Sequence, residues 1–195
     1  MKIPSFSKKK IITSLVSAVA CLIIFVFFGE DYSQKVTVPE IKTNSVSVVP
    51  PPGMYHVMKV VDGDTIQVSA TGTLDDIETI RFIGINTPET VDPRKEVECF
   101  GHEASDKTKS LLTDKNVFLE RDTTQTDRDK YGRLLRYVIL EDKTNVNQYL
   151  IQEGYAYEYT YKTTYKYRSE FKEAQVYAQE NKKGLWADDS CAGKK

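Results

Sequence analysis

Charged and polar residues gather where an alternating stretch ends, between Arg81 and Glu89. The stretch reads Arg-Phe-Ile-Gly-Ile-Asn-Thr-Pro-Glu, and its first five residues alternate in side-chain direction as a strand does. Pro88 ends the pattern because proline cannot donate to a strand ladder. A cation therefore lies in the strand, and an amide (Asn86) and a carboxylate follow where it breaks. On its own the stretch is more typical of an ordinary strand with a solvated turn. A catalytic interpretation therefore needs support from other parts of the chain.

Three other short motifs carry residues of the same types. They are Asp62-Gly63-Asp64-Thr65, Gly101-His102-Glu103-Ala104-Ser105 and Asp129-Lys130-Tyr131-Gly132-Arg133. Each motif is weak alone, and an Asp-Gly-Asp sequence is common in plain hairpin turns. In this order and spacing, together with residues 81–90, they resemble the thermonuclease (staphylococcal-nuclease-like) family over about residues 57–186. The resemblance implies a nuclease that hydrolyses phosphodiester bonds of DNA and RNA and leaves 3′-phosphate ends.

The residue types fit such a reaction. A phosphodiester gains negative charge when water attacks the phosphorus, so a site must neutralise that charge and orient the water. The planar donor forks of Arg81 and Arg133 suit phosphate oxygens, and Glu89 can hold the attacking water as a general base. The resemblance implies the same catalytic roles at these three positions. It also implies that Lys130 and Tyr131 bind the terminal phosphate of a nucleotide.

A hard divalent cation is the expected cofactor. Calcium prefers oxygen ligands, and the Asp64 carboxylate, the Asn86 amide and the Thr87 carbonyl can supply them at adjacent strand ends. In the best-known members of the family the residue before Thr-Pro-Glu is aspartate, so Asn86 removes one negative charge. We therefore expect weaker calcium binding, or a preference for another divalent ion. The same departure leaves an alternative open, a catalytically weak nucleic-acid-binding OB-fold module.

The order of strand-like and helix-like segments indicates the fold class. Strands are predicted near residues 57–61, 65–68, 77–85, 117–119 and 133–140. Helices are predicted near residues 102–114, 145–153 and 167–183. Five strands, with one helix between the third and the fourth and the others at the end, match an α+β, mainly β chain. We expect a five-stranded OB-type β-barrel with about three α-helices, preceded by an N-terminal hydrophobic helix.

The first 53 residues differ from the rest of the chain. Residues 1–10 contain four lysines and no acid, residues 11–28 are uncharged and apolar, and residues 29–53 are typical of an extended linker. We favour an uncleaved signal anchor over a cleaved signal peptide, because cleavage at the Ala-Val-Ala sequence would leave the most apolar residues on the mature protein. Both alternatives put the nuclease-like domain (54–189) and its tail (190–195) outside the cytoplasm. The protein is then membrane-anchored, or secreted if cleaved, and residues 1–10 are cytoplasmic.

Bulk charge and cysteine content set further limits. The chain has 27 basic and 28 acidic residues, so binding to nucleic acid must depend on local arginines and lysines or on a metal ion. Cys99 and Cys191 lie far apart in the sequence. The resemblance implies that they are close in the fold, so we expect a disulfide, with two free thiols as the alternative in a reducing compartment. We expect a monomer.

A tyrosine-rich stretch precedes the last predicted helix. It contains Tyr155, Tyr157, Tyr159, Tyr161, Tyr165 and Tyr167. The first four alternate, so in an extended segment they would share one face. Two interpretations stay open: the rings stack on nucleic-acid bases without sequence preference, or they form a packed barrel wall with hydroxyls at the rim.

Overall fold

The computed structural model describes residues 49–90 and 96–191. The strands are β1 (Tyr55–Asp62), β2 (Thr65–Ser69), β3 (Glu78–Phe82), β4 (Ile85–Asn86), β5 (Asn116–Glu120), β6 (Leu134–Ile139) and β7 (Tyr157–Glu158). The helices are α1 (Gly101–Leu112), α2 (Val146–Gln152) and α3 (Arg168–Glu180), with short 3₁₀ helices at Leu74–Asp76 and Gly184–Trp186. The predicted cytoplasmic N-terminus and signal anchor lie outside the described residues. Within the described ranges, no helix has the length and apolar character needed to cross a bilayer.

Five strands close into a barrel in the order β1, β2, β3, β6, β5, with β5 pairing back to β1. All neighbours are antiparallel except β3 and β6, which run parallel with Ile80 opposite Leu134 and Arg81 opposite Leu135. Helix α1 lies between the barrel's third and fourth strands in the chain, and α2 and α3 follow the fifth. The predicted five-stranded OB-type barrel with three helices is therefore confirmed.

Strand side chains fill the interior of the barrel. Ile66, Val68 and Ile80 are 0% exposed, and Phe82 is 2% exposed. Along β3 the buried residues alternate with less buried neighbours, as expected for a strand with one face towards a core, whereas β2 is buried along most of its length. Burying a side chain of this size contributes about 1.5–3 kcal/mol relative to leaving it in water. The packed interior fixes the strand ends that carry the candidate catalytic residues.

One predicted strand is divided in two. The sequence predicts a continuous strand over residues 77–85, but β3 ends before Gly84 and β4 pairs with β7 outside the barrel. Gly84 adopts a φ of 77°, and a Cβ there would lie 2.6 Å from the Tyr165 ring. Only glycine adopts this conformation readily and allows so close an approach. The turn directs β4 away from the barrel, and β4 carries the candidate metal ligand Asn86.

A buried carboxylate ties the barrel to the segment before α3. Asp122 is 3% exposed and accepts hydrogen bonds from the Tyr137 hydroxyl (2.7 Å) and the Lys166 amide (2.8 Å). The amide and hydroxyl of Thr124 also donate to it, at 2.8 and 2.7 Å. Burial alone would raise the pKa of the Asp122 carboxyl, but these hydrogen bonds lower it below its ordinary value. The folded state therefore favours the ionised carboxylate.

Replacing Asp122 with alanine is expected to lower the free energy of unfolding by about 3 kcal/mol, because buried donors lose their acceptor. A carboxyl with a lowered folded-state pKa contributes stability above its unfolded-state pKa of about 3.9, and this is lost as the pH falls through the folded-state pKa. Urea unfolding at neutral pH and at about pH 3 measures both effects. The exposed Asp75 supplies the control variant, Asp75→Ala. A loss at neutral pH no larger than the control's would contradict the prediction.

Candidate active site

The turn between β1 and β2 is fixed from two sides. The Asp62 carboxylate accepts the Gly63 amide at 2.8 Å and the Thr90 hydroxyl at 2.6 Å. The Thr108 hydroxyl of α1 donates to the Gly63 carbonyl at 2.7 Å. A Cβ at residue 63 would lie 2.7 Å from the Thr87 side chain, so glycine permits this close packing. The turn, α1 and the loop after β4 are thus held together.

The Arg81 side chain is 14% exposed and lies among oxygen atoms. Its Nη1 donates to the carbonyls of Phe82 and Ile85, at 2.9 and 3.0 Å. Its Nη2 lies 2.9 Å from Asp64 Oδ2 and donates to Asn86 Oδ1 at 3.1 Å. Four acceptors therefore fix the guanidinium, and Arg81 brings together two of the predicted metal ligands.

The predicted metal ligands Asp64, Asn86 and Thr87 lie side by side. Asp64 Oδ2 accepts the Thr87 amide at 3.1 Å, and Asp64 Oδ1 accepts the Thr65 hydroxyl at 3.0 Å. The buried Thr87 hydroxyl has no hydrogen-bond partner within residues 49–90 and 96–191. The same ranges contain no group of three or more His, Cys, Asp or Glu side chains placed to hold a metal ion. The predicted set is of a different kind, a carboxylate, an amide oxygen and a backbone carbonyl, and these oxygen donors fit a hard cation.

Two neighbouring carboxylates act on the Asp62 carboxyl at this end of the barrel. Burial raises the pKa of Asp62, and the negative charges of Asp64 and Glu89 raise it further, although the hydrogen bonds that Asp62 accepts oppose this. Glu89 lies two positions after Thr87 in the chain, and its charge reaches Asp62, so the predicted base lies at the same end of the barrel. Arg81 offsets part of the gathered negative charge.

Arg133 lies just before β6, the parallel neighbour of β3, and contacts its own turn. Its Nε and Nη2 both lie 2.7 Å from Asp129 Oδ2. Asp129 Oδ1 accepts the amides of Tyr131 and Arg133 at 2.9 and 3.1 Å. Burial would raise the pKa of Asp129, but these hydrogen bonds and the Arg133 charge lower it. The ionised Asp129 therefore orients the Arg133 side chain.

The predicted nucleotide-binding residues lie beside Arg133. Tyr131 is 71% exposed, with Lys130 Nζ at 4.8 Å and Arg133 Cζ at 5.3 Å from its ring centroid. Interaction with the Tyr131 hydroxyl raises the pKa of Lys130, and nearby Tyr161 adds to this effect. An exposed ring flanked by two cations suits contact with both a base and a phosphate.

Four rings of the tyrosine-rich stretch form a buried pair and an exposed pair, and the other two, Tyr155 and Tyr167, are partly buried against the core. Tyr157 and Tyr165 are 8% and 5% exposed, and the Tyr165 hydroxyl donates to Glu158 at 2.8 Å. Tyr159 and Tyr161 are 43% and 66% exposed, with ring centroids 6.4 Å apart. One shared face was expected for an extended segment, and that condition is not met, because β7 covers only two residues. Packing describes the first pair, and only the second is exposed for stacking.

A disulfide joins Cys99, just before α1, to Cys191, beyond the last 3₁₀ helix. The two Cα atoms lie 6.0 Å apart, and the cysteines are separated by 92 positions in the chain. Cross-linking residues so distant in sequence restricts the unfolded chain, by about 4–5 kcal/mol in the chain-entropy model. The bond therefore ties the loop after β4 to the C-terminal end of the domain.

Two acidic residues near the site received no role from the sequence. Asp62 accepts a hydrogen bond from Thr90 in the loop after β4. Its place in the Asp-Gly-Asp motif is the sequence feature that could have indicated a role for it. Glu98 exchanges two hydrogen bonds with Glu89, at 3.0 and 3.1 Å. No local pattern signals that second link, because its partners are nine positions apart in an irregular loop.

Comparison with known proteins identifies the family of this chain. Residues 79–188, more than half of the chain, match the family model described as staphylococcal nuclease homologue. The chain belongs to the staphylococcal nuclease family. The resemblance carried by the four sequence motifs is thereby confirmed.

Relatives extend the similarity beyond that model of the staphylococcal nuclease family. The thermonuclease of Staphylococcus hyicus is 43% identical over 134 residues, which make up 69% of this chain and 76% of that protein. The thermonuclease of Staphylococcus intermedius is 37% identical over 180 residues, 91% of this chain and 98% of that protein. The SPbeta prophage-derived endonuclease YokF of Bacillus subtilis is 39% identical over 130 residues, 66% of this chain and 42% of that protein. All three relatives are named as nucleases.

Proposed function

We propose that this protein is a divalent-cation-dependent nuclease that hydrolyses phosphodiester bonds of DNA and RNA. The observation that carries the proposal is the contact of Arg81 with Asp64 and Asn86 at one end of the barrel, at 2.9 and 3.1 Å. Glu89 belongs to the same group of interacting charges. Phosphodiester hydrolysis needs fixed positive charge, a base and oxygen ligands for a cation. Membership of a family with thermonuclease relatives supports the same activity.

Each proposed catalytic residue has a distinct task. Arg81, held by four acceptors, and Arg133, oriented by Asp129, donate N–H groups to phosphate oxygens as negative charge develops. Glu89 takes a proton from the attacking water, whose oxygen bonds to phosphorus. The bond from phosphorus to the 5′ oxygen of the leaving nucleotide breaks, and that oxygen takes up a proton. The other product carries a 3′-phosphate end.

Asp64, Asn86 and Thr87 are the residues that would hold the cation, and we propose calcium. Their oxygens are the ligands that calcium prefers. The hydrogen bond from the Thr87 backbone amide to the Asp64 carboxylate keeps these two residues adjacent. The cation, when bound, supplies positive charge that favours binding of an anionic substrate. Asn86 contributes a neutral oxygen, so we expect modest affinity for the ion.

Substrate contacts are proposed for residues on the exposed side of the same region. Lys130 and Tyr131 would bind the terminal phosphate of a nucleotide, supported by their contact with each other and with Arg133. The exposed rings of Tyr159 and Tyr161 would stack on bases. Stacking and phosphate contacts do not depend on base identity or on the 2′ hydroxyl, which agrees with cleavage of both DNA and RNA.

We also propose that the enzyme acts outside the cytoplasm as a monomer. The lysines of residues 1–10 and the apolar run of residues 11–28 support an N-terminal anchor, or a cleaved signal peptide if the protein is secreted. The disulfide between Cys99 and Cys191 supports an oxidising compartment. Cell fractionation tests the location, intact-mass measurement of the mature chain tests whether the N-terminal segment is cleaved, and size-exclusion chromatography with light scattering tests the monomer.

The activity is tested by incubating the full-length protein with DNA and with RNA, in calcium or in excess chelator. We expect cleavage of both substrates only with calcium, and 3′ ends that polymerase extends only after phosphatase treatment. A second candidate, a catalytically weak nucleic-acid-binding module, is favoured by Asn86 in place of a carboxylate. Binding without cleavage at high enzyme concentration would support that candidate and contradict ours.

Replacing Asn86 with aspartate is expected to lower the calcium concentration for half-maximal cleavage by roughly tenfold. The variant adds a carboxylate to a ligand set in which Asp64 supplies the charge, and ligand charge strengthens calcium binding. Calcium titrations of cleavage rate and direct calorimetry measure the change. Asn181→Asp adds the same charge at the exposed end of α3 and serves as the control. Equal calcium dependence of Asn86→Asp and wild type would contradict the proposed ligand set.

A further inference from the structure

Glu98 holds the backbone of Glu89 at two points. The Glu98 amide donates to the Glu89 carbonyl at 3.0 Å, and the Glu98 carboxylate accepts the Glu89 amide at 3.1 Å. These two bonds join the two residues directly, so that the Glu89 main chain cannot shift relative to Glu98 without breaking them. Glu98 is in turn fixed through its carbonyl, which accepts the Gly101 amide at the start of α1, at 2.9 Å. The position of the proposed base therefore depends on Glu98.

The residues that follow Glu98 are held in an unfavourable backbone conformation. Phe100 has a φ of 66°, in the left-handed region that bulky side chains rarely adopt. It lies between Cys99, which is cross-linked, and Gly101, where a Cβ would approach the Glu89 carbonyl to 3.2 Å. Such a conformation persists only where the surroundings fix it. The disulfide next to Phe100 is one such constraint.

A small apolar cluster continues the same support to the other side of the site. The buried side chains of Tyr157, Leu185 and Cys191 pack together with Phe100 and Trp186. Burial raises the pKa of Tyr157, and the nearby Glu98 carboxylate adds to this effect. Tyr157 also pairs through its backbone with Asn86, the proposed metal ligand. The cluster around Cys191 thus contacts both β4 and the loop after it, which carry residues of the candidate site.

The disulfide is open to attack from one side. Cys99 is exposed, whereas Cys191 is 7% exposed. The exposed position of Cys99 favours approach of an external thiolate from that side, and exposed disulfides are the ones most readily exchanged. Reduction would free the residue next to Glu98 and the strained Phe100 at the same time.

We propose that Glu98 is a positioning residue for Glu89 and that the Cys99–Cys191 disulfide keeps it in place, so that hydrolysis is fast only in the oxidised protein. The proposal rests on the proposed nuclease function. Oxidation transfers two electrons and two protons from the two cysteine thiols to a small-molecule or protein disulfide, whose sulfur–sulfur bond breaks to give two thiols, and one sulfur–sulfur bond forms in the chain. A dithiol reverses the exchange and is itself oxidised to a disulfide. The enzyme would thus be slow under reducing conditions and fast after export.

The first test compares steady-state kinetics of the full-length protein and three variants. Glu98→Ala is expected to lower kcat for DNA about 10- to 100-fold with little change in KM, because a displaced base affects the chemical step. Glu98→Gln keeps an acceptor for the Glu89 amide and should stay within about threefold of wild type. Glu173→Ala, at an exposed position of α3, removes a charge without these contacts and is the control. Full activity of Glu98→Ala would overturn the proposal.

The second test examines the disulfide. We expect two changes to lower kcat, as Glu98→Ala does. One is reduction of the wild type with dithiothreitol, and the other is replacement of both Cys99 and Cys191 by serine. Reduction of Glu98→Ala should add little, because both changes act on the same contact. Circular dichroism at the assay temperature ensures that folded proteins are compared. Equal activity of oxidised and reduced wild type would overturn the redox part of the proposal.

Hydrogen exchange at the Glu89 amide supplies a measurement that does not require activity. The amide should exchange at least about tenfold faster in Glu98→Ala and in the reduced wild type, and at the wild-type rate in Glu98→Gln and Glu173→Ala. If the wild type cleaves neither DNA nor RNA while this pattern holds, the proposed function fails and the positioning contact stands. Unchanged exchange in Glu98→Ala would overturn the positioning role whatever the activity.

Discussion

Replacing Glu89 with glutamine is expected to lower kcat for DNA hydrolysis by about two to four orders of magnitude. Glutamine preserves the size of the side chain but cannot take a proton from the attacking water. The backbone of Glu89 is held by Glu98 at 3.0 and 3.1 Å, and those bonds do not involve the Glu89 side chain, so the loop should keep its position. KM should change little, because the proposed substrate contacts come from the arginines, Lys130 and the tyrosines.

Single-turnover measurements with calcium separate the chemical step from product release. The matched control is Glu96→Gln, which removes the same charge at an exposed position of the same loop and should retain wild-type kcat. Thermal unfolding of both variants checks that the fold is unchanged. Full activity of Glu89→Gln would refute the assignment of the general base, while cleavage by the wild type would still support the nuclease proposal.

Much of the fold could be predicted because its elements are specified locally. The cap of α2 is an example: Asn145 accepts the Gln148 amide, and Gly154 adopts a φ of 75° after the helix, both as the residue types suggest. The break at Gly84 could not be predicted in this way. It depends on the Tyr165 ring, 81 positions away, filling the space where a side chain would stand. Contacts of that range leave no local pattern.

The candidate site shows the same division. The motifs, through the family that they resemble, predicted that Arg81, Asp64 and Asn86 come together. Strand register explains why they do, since Thr65 lies opposite Arg81. The roles of Asp62 and Glu98 were missed. Their partners lie in the loop after β4, and which acidic residue faces which threonine or amide is decided only when α1 packs against the turn.

Replacing Arg133 with alanine is expected to lower kcat/KM for DNA by about two to three orders of magnitude, because a donor aimed at the developing phosphate charge is lost. The structure predicts that the turn survives. The Asp129 carboxylate accepts the backbone amides of Tyr131 and residue 133 at 2.9 and 3.1 Å, and both amides remain in the variant. Arg133→Lys should restore little activity, since an ammonium group cannot form a planar fork or keep both contacts with Asp129.

The control for Arg133→Ala must remove a positive charge without touching the reaction. Arg121 is suitable, because its side chain is 61% exposed and pairs at the surface with Asp127. If general attraction of nucleic acid mattered most, Arg121→Ala and Arg133→Ala would lose activity to a similar extent, and both losses would shrink with added salt. A transition-state role requires a large loss in Arg133→Ala alone that persists at high salt. In that case Asp129 orients a catalytic arginine. Its negative charge offsets part of the Arg133 charge, but the orientation that it gives to the guanidinium has the larger effect on the rate.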